Sequence, residues 1–287
     1  MDTRFLQSFV SVVELGSIAE AARQLDLTSA TIAQRLRALE VEIGSKLIVR
    51  SGRTVRATVA GTRILDRARS ALRELRDLAS AASDTDLPAG PLLLGAMPTG
   101  LTGIVPPVLK AWVQRYPDVN IYIEPATSAV LYGRVLSGDI DAALLVHPTF
   151  DLPKTCVWHA LRKEALILLT PSRMKVKDAL ATIEREPFIR YDRKVVAGKQ
   201  ADDYLRQHGI RPHVRFELDG IENIAKLVTE GLGVSVLPDW AVFGRSEPGL
   251  KRWALPAPVP IRAVGVLWQR SAVRAPLVEA FVALASA

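Results

Sequence analysis

Apolar positions recur at helical spacing three times in the first part of the chain. Phe5, Leu6, Phe9, Val10, Val12 and Val13 form one amphipathic run that ends near Gly16. In "SIAEAARQLDLTSATIAQRLRALE", Ser17 to Glu40, the pair Ser17 and Glu20 has the spacing of a capping box. A short helix is predicted from there through Ala21, Ala22 and Leu25, with Asp26 interrupting it. Thr28 caps a third helix, and Ile32, Leu36 and Leu39 supply its buried side. The other side carries Thr28, Ser29, Ala30, Thr31, Ala33, Gln34 and Arg35, small or polar where a core would take leucines. Something other than a core is expected to contact them. A supported short helix followed by a projecting one is the helix-turn-helix arrangement, whose second helix enters the major groove of double-stranded DNA. Three helices packed in an ordinary all-helical domain are the alternative.

The pattern then changes period. "KLIVRSGRTVRAT" reads as two short strands, Leu47 to Arg50 and Thr54 to Ala57, turned through Ser51 and Gly52. Its charges, Lys46, Arg50, Arg53 and Arg56, are all positive. A solvated hairpin mixes signs, whereas a wing lying along phosphates wants cations only, because each neutralised phosphate releases counterions. Next, "TVAGTRILDRARSALRELRDLASAASD" holds no proline and one glycine, so one long helix is predicted. Leu65, Ala68, Leu72, Leu75 and Ala79 follow the alternating three-and-four spacing of a heptad seam, which suits an identical partner. Packing on its own domain is the alternative, against which stand the flanking Arg67, Arg69, Arg73 and Arg76. A two-fold dimer would recognise an inverted-repeat site.

In this order of elements the sequence resembles the LysR-type transcriptional regulators over its whole length. The residues that carry the resemblance are Ala21, Ala22 and Leu25 before the turn, then Leu36, Leu39 and Glu40 after it, then Gly44, Leu47, Arg50 and the Thr58 to Gly61 segment. The family commonly opens its recognition helix with Ser, Gln, Pro, Ala, Val, Ser; here those places hold Thr28, Ser29, Ala30, Thr31, Ile32 and Ala33. A long amide able to pair with adenine is thus replaced by a short hydroxyl, so base preference does not carry over. The resemblance implies a winged helix-turn-helix DNA-binding domain (1–58), a dimerisation helix and hinge (59–90), and a two-lobed α/β effector domain of the periplasmic-binding-protein type (91–287). It also implies a homodimer assembling into a homotetramer that bends DNA differently when a ligand closes the cleft.

The residues past the hinge-like "DTDLPAG" support that division on their own. "PLLLGAM", "NIYIEPA" and "DIDAALLV" read as strands, and "IVPPVLKAWVQRY" and "TSAVLYGRVLSG" as helices, the alternation of a parallel sheet covered by helices. Pro117 and Pro212, Val119 and Val214, and Gly138 and Gly233 are each 95 residues apart, which implies two related lobes. The late strand "IRAVGVLWQR" can return to the first lobe, leaving two crossovers and a cleft.

Ligands of such sheets bind at the carboxyl ends of strands, where helices begin. That rule nominates Met97, Pro98, Thr99, Gly100 and Thr102, then Thr127 and Ser128, then Tyr191, Arg193, Gln200, Glu222 and Asn223. Thr127, Ser128 and Asn223 also read as plain helix caps. Thr99 stands apart, because its hydroxyl precedes Gly100, where backbone can approach an anion closely, and its place resembles the family's effector-contacting serine or threonine. The expected effector is a small metabolite bearing a carboxylate. His147 either faces the hinge or is structural.

Composition removes competing functions. At 287 residues and 49% hydrophobic, the chain has room for one small and one large core, and its net charge of +7 is too dilute to identify a partner. None of the G-x-S-x-G, H-E-x-x-H, G-x-x-x-x-G-K-[ST] or G-x-G-x-x-G motifs occurs, the four histidines lack ligand spacing, and Cys156 is the one cysteine. No catalytic residue, metal or cofactor is expected. Asp2 and Glu14 interrupt the N-terminal run, which argues against a secretory leader and for a cytoplasmic protein, and no apolar stretch approaches the ~20 residues of a membrane span.

Overall fold

The computed structural model describes residues 1–51, 54–81, 91–240 and 249–287. The chain divides into two compact units, the first built on Met1–Ala89 and the second on Gly90–Val135 and Ile140–Ala287. The hinge-like segment read from the sequence lies outside the described residues.

In the first unit, helices α1 (Thr3–Leu15), α2 (Ile18–Gln24) and α3 (Ser29–Ile43) precede a hairpin of β1 (Ile48–Ser51) and β2 (Thr54–Ala57), and α4 (Val59–Ala81) follows. Local chemistry sets these boundaries. Asp2 caps α1, and Ser17 caps α2 by accepting from the Glu20 amide. Only half of the predicted capping box forms, because the Glu20 carboxylate pairs with Arg23 instead. Asp26 takes a left-handed conformation (φ 52°) in the turn, and Thr28 caps α3. Phe9, Val12, Ala21, Ile32, Leu39 and Leu47 are buried together as the core of this unit.

The sequence-based expectation for α4 needs correction. Ala68 is only 4% exposed in the unit's own core, and Ile64, Leu65, Ala71 and Leu72 pack against that core. Ile64 and Ala71 widen the three-and-four seam into the broad stripe of a helix that packs on its own domain. The flanking arginines do not prevent this: Arg69 pairs with Glu14 of α1 and with Asp66. Farther along, Leu75 and Leu78 are 43% and 65% exposed, while the side chain of Ala79 lies outside what is described.

The second unit consists of two lobes with the same plan. In the first come β3 (Leu92–Ala96), α5 (Pro98–Gly103), α6 (Val105–Arg115), β4 (Ile121–Pro125), α7 (Ser128–Ser137) and β5 (Ala142–Val146). The long strand β6 (Cys156–Pro171) crosses to the second lobe, which holds α8 (Ala179–Arg185), β7 (Pro187–Tyr191), α9 (Val196–Gln207), β8 (His213–Leu218), α10 (Ile221–Thr229), β9 (Ser235–Pro238) and β10 (Leu250–Ala254). Strand β11 (Ile261–Gln269) returns, and α11 (Ala275–Ala285) closes the first lobe against α6. In lobe one β3 pairs in parallel with β4 and β5, and β11 joins β5 antiparallel. In lobe two β7 pairs in parallel with β8 and through a bridge from Phe188 to Val234 beside β9, while β6 joins β9 antiparallel. The two lobes pair their strands in the same order, β11-β5-β3-β4 and β6-β9-β7-β8, with β10 added beside β6 in the second, as the 95-residue repeat implies. Among the described residues no helix is long and apolar enough to cross a membrane.

Candidate DNA-binding face and effector cleft

Helix α3 buries Ile32, Leu36 and Leu39 and turns its other side outward. Ser29, Ala30 and Gln34 are exposed, and Thr31, Ala33 and Arg35 half exposed. Thr28 is occupied locally: its Oγ1 accepts from the Thr31 amide at 3.1 Å and lies 2.9 Å from the Thr31 hydroxyl. Arg35 faces the start of α1. The Asp2 carboxyl there is lowered to about 2, first by hydrogen bonds from Arg4 and in smaller part by the charge of Arg35.

The hairpin is tied to α3 by a residue whose role the sequence did not reveal. Glu40 is 8% exposed, and its carboxylate accepts from the Leu47 amide at 2.9 Å, the Ile48 amide at 3.4 Å and the Lys46 ammonium at 2.7 Å. Burial alone would raise its pKa; the Lys46 ammonium and the two amides outweigh that and hold it below the ordinary carboxylate range. Lys46, read from the sequence as one of the wing cations, is therefore committed to Glu40. Thr58 ties the other end of the hairpin, donating to the Lys46 carbonyl at 2.6 Å and accepting from the Gly61 amide at 3.0 Å. Gly61 is required there, since a Cβ would stand 2.1 Å from the Leu47 carbonyl oxygen.

The remaining wing cations do not share one face. Arg50 pairs with Val55 in register and Arg56 with Val49, so the two arginines project to opposite sides of the hairpin. Both are exposed. Arg53 lies outside the described residues.

In the second unit, Thr99 sits in the first turn of α5, 8% exposed, and its hydroxyl has no hydrogen-bond partner among the described residues. Its neighbour corrects the expected anion cradle. The Gly100 amide already donates to the Met97 carbonyl at 2.9 Å, and a Cβ at Gly100 would meet Leu144 at 2.6 Å. Gly100 therefore lets α5 pack on β5; it does not open backbone to a ligand. Ser128 is likewise engaged, accepting from the Val146 amide at 3.1 Å and approaching the Met97 sulfur at 3.9 Å. Thr127, in contrast, caps α7 through a long 3.5 Å bond from Val130.

Across the cleft, Thr102 of lobe one donates to the Glu222 carboxylate at the start of α10. Tyr191 is buried among Ile189, Ile224 and Trp240, and burial first, then the charge of Asp219, pushes its phenol up to about 12. Gln200 is half exposed on α9. Asn223 is exposed and folds over Gly220, whose Cβ, if present, would lie 2.7 Å from Asn223 Nδ2. Arg193 pairs with Glu217 on β8. His147 lies beside the crossover strands β6 and β11: its amide donates to the Ala263 carbonyl of β11, its Nδ1 lies 2.6 Å from the Pro148 carbonyl, and its ring meets Trp158 edge-on. Of the sequence-derived residues, Thr102 and Glu222 meet across the lobes and Thr99 keeps a hydroxyl without a partner among the described residues, whereas Gly100, Ser128 and Tyr191 serve packing or hold backbone.

One cluster at the crossover strands was missed. Arg262 of β11 donates to Glu164 of β6 at 2.7 Å, Arg162 pairs with the same carboxylate at 3.0 Å, and Arg162 also donates to the Asp239 carbonyl at 2.7 Å. Glu164 is buried, so two guanidiniums and one carboxylate fix the waist between the lobes. The visible signal was "LRKEALILL", charged residues entering an otherwise apolar strand.

Comparisons with known proteins agree with this division. The family model described as "LysR substrate binding domain" matches residues 85–287, and the model described as "Bacterial regulatory helix-turn-helix protein, lysR family" matches residues 3–62. The uncharacterized HTH-type transcriptional regulator YnfL of Escherichia coli (strain K12) is 29% identical over 279 residues, covering 93% of this chain and 91% of that protein. The HTH-type transcriptional regulator CzcR of Bacillus subtilis (strain 168) is 24% identical over 250 residues, with 87% and 84% covered. Among solved structures, a full-length OxyR variant from Pseudomonas aeruginosa matches with TM-score 0.70 and 23% identity, covering 99% of this chain and 94% of that one. Full-length CbnR complexed with its target DNA matches with TM-score 0.68 and 20% identity over all of both chains. At these identities the two structures establish the fold.

Proposed function

The chain belongs to the LysR family of transcriptional regulators, and on that footing we propose that it acts in the cytoplasm as a dimer that grips an inverted-repeat operator. Helix α3 enters the major groove with Ser29, Ala30, Ala33 and Gln34 toward the bases, and the wing supplies phosphate contacts through its arginines. The observation that carries this reading is the outward face of α3, small and polar beside a wing that Glu40 and Thr58 hold in place. CbnR was solved with DNA bound, which supports the same use of the shared fold here. The exposed Leu75 and Leu78 on α4 are the contacts offered to a second subunit.

The second unit senses a small molecule between its lobes. Thr99 is a nearly buried residue whose hydroxyl still reaches the surface and has no partner among the described residues, so it is open to an effector group that bonds to it. The described residues offer no cradle of free amides at Gly100, so recognition of an effector carboxylate rests on side chains. The full-length protein should enrich inverted repeats when bound duplexes are selected from a random pool. A pool that shows no enriched sequence would overturn specific DNA recognition.

A further inference from the structure

The cations around the recognition helix fall into two groups. Arg4 pairs with Asp2, Arg23 with Glu20 and Lys46 with Glu40, whereas Arg37 and Arg50 make no ion pair among the described residues. The hydrogen bond of the Arg37 side chain is a weak one, 3.3 Å from Nε to the Ala33 carbonyl on its own helix. Between α3 and β1 runs a groove of about 570 Å³ lined by Ala33, Leu36 and Arg37 on the helix side and by Val49 and Arg50 on the strand side. Lys46 borders it too, with its charge already matched.

Resting on the reading that α3 enters the major groove by its N-terminal end, we infer that this groove seats one sugar-phosphate strand of the operator, and that Arg37, with Arg50 across from it, is a phosphate contact. The groove has the right chemistry for that occupant. Its apolar floor suits deoxyribose, and its two free guanidiniums suit the bridging phosphate, which each can meet with paired N–H donors. The position along the helix fits as well. Arg37 lies about 12 Å behind Ser29 at the rise of an α-helix, which exceeds the ~8.5 Å depth of the major groove. A helix whose tip reaches the base edges therefore carries Arg37 at the level of the backbone. Arg37 also follows Ala30, Ala33 and Gln34 on one face, at helical spacing.

The test is the salt dependence of binding by the full-length protein to a fluorescein-labelled mixed-sequence duplex. The slope of log affinity against log salt should fall by about 0.9 for each engaged subunit in Arg37→Gln. Arg37→Lys should restore it, and Lys46→Gln should leave it unchanged. Thermal melts of each variant separate a lost contact from a lost fold, and Arg37→Lys provides the same separation within the binding data. An unchanged slope in Arg37→Gln would overturn the inference while leaving DNA binding intact, and a fall in Lys46→Gln as large as in Arg37→Gln would overturn its sorting of the cations. A wild-type protein that fails to bind any duplex would instead overturn the DNA-binding reading on which the inference rests.

Discussion

Thr99 and Ser128 are chemically alike, and the structure gives them opposite assignments. The Ser128 hydroxyl accepts from a part-buried backbone amide at the end of β5, so Ser128→Ala should destabilise the free protein by about 1 kcal/mol, the net worth of such a bond. Thr99 has no such duty. Thr99→Val should leave the melting temperature of the free protein unchanged or slightly raised, while weakening the effector by roughly tenfold to a hundredfold in calorimetry. A variant that binds the effector as tightly as the parent would remove Thr99 from the site. Glu40 makes a pH prediction. Its carboxylate is held below the ordinary value of 4.5, so its contribution is complete above that value and is lost as pH falls through its lowered folded pKa. Acid titration of stability should show a smaller loss for Glu40→Gln than for the parent below pH 4.5; equal losses would contradict the assigned role. Caps at Ser17 and Thr28 were legible in the sequence because a capping hydroxyl and the amide that donates to it lie within one turn. The Glu40 clasp was not, since its partners follow a reversal of the chain, and the capture of Lys46 looks in sequence like one more wing cation.

Helix α4 shows what spacing alone leaves open. A heptad seam and a broad amphipathic stripe share most of their positions, and the deciding residues, Ile64 and Ala71, fall just beside the seam. The structure assigns the first half of the helix to its own domain and leaves Leu75 and Leu78 exposed. Leu75→Asp combined with Leu78→Asp should therefore yield a folded monomer in sedimentation, with operator affinity reduced because two half-sites are no longer bound together. A stable dimer of this variant would place the subunit contact elsewhere. Ala68→Asp should behave differently, unfolding the DNA-binding unit, because it puts a charge into a core position that is 4% exposed. The hairpin was legible as an element and in its sign of charge. That its arginines point to opposite sides depends on register, which the sequence pattern did not fix.

At the scale of the whole chain, two lobes were visible from three residue pairs at one spacing, because both lobes repeat the same succession of strand, helix, glycine and strand. The waist between them was not visible. Arg262 and Glu164 are 98 positions apart, and nothing local to either announces the other. The residues at the carboxyl ends of the strands were legible as a group, but not their separate duties: Thr102 and Glu222 meet across the lobes, whereas Gly100 and Tyr191 serve packing. The central claim is that a molecule held between these lobes governs binding of the operator. The most direct measurement is operator affinity and bend, with and without the small molecule released on denaturing protein purified from its native cells, for the parent and for Thr99→Val. The molecule should shift affinity or bend of the parent complex, and Thr99→Val should need roughly ten to a hundred times more of it for the same shift. A molecule that binds the parent protein tightly yet leaves both affinity and bend unchanged would contradict the account.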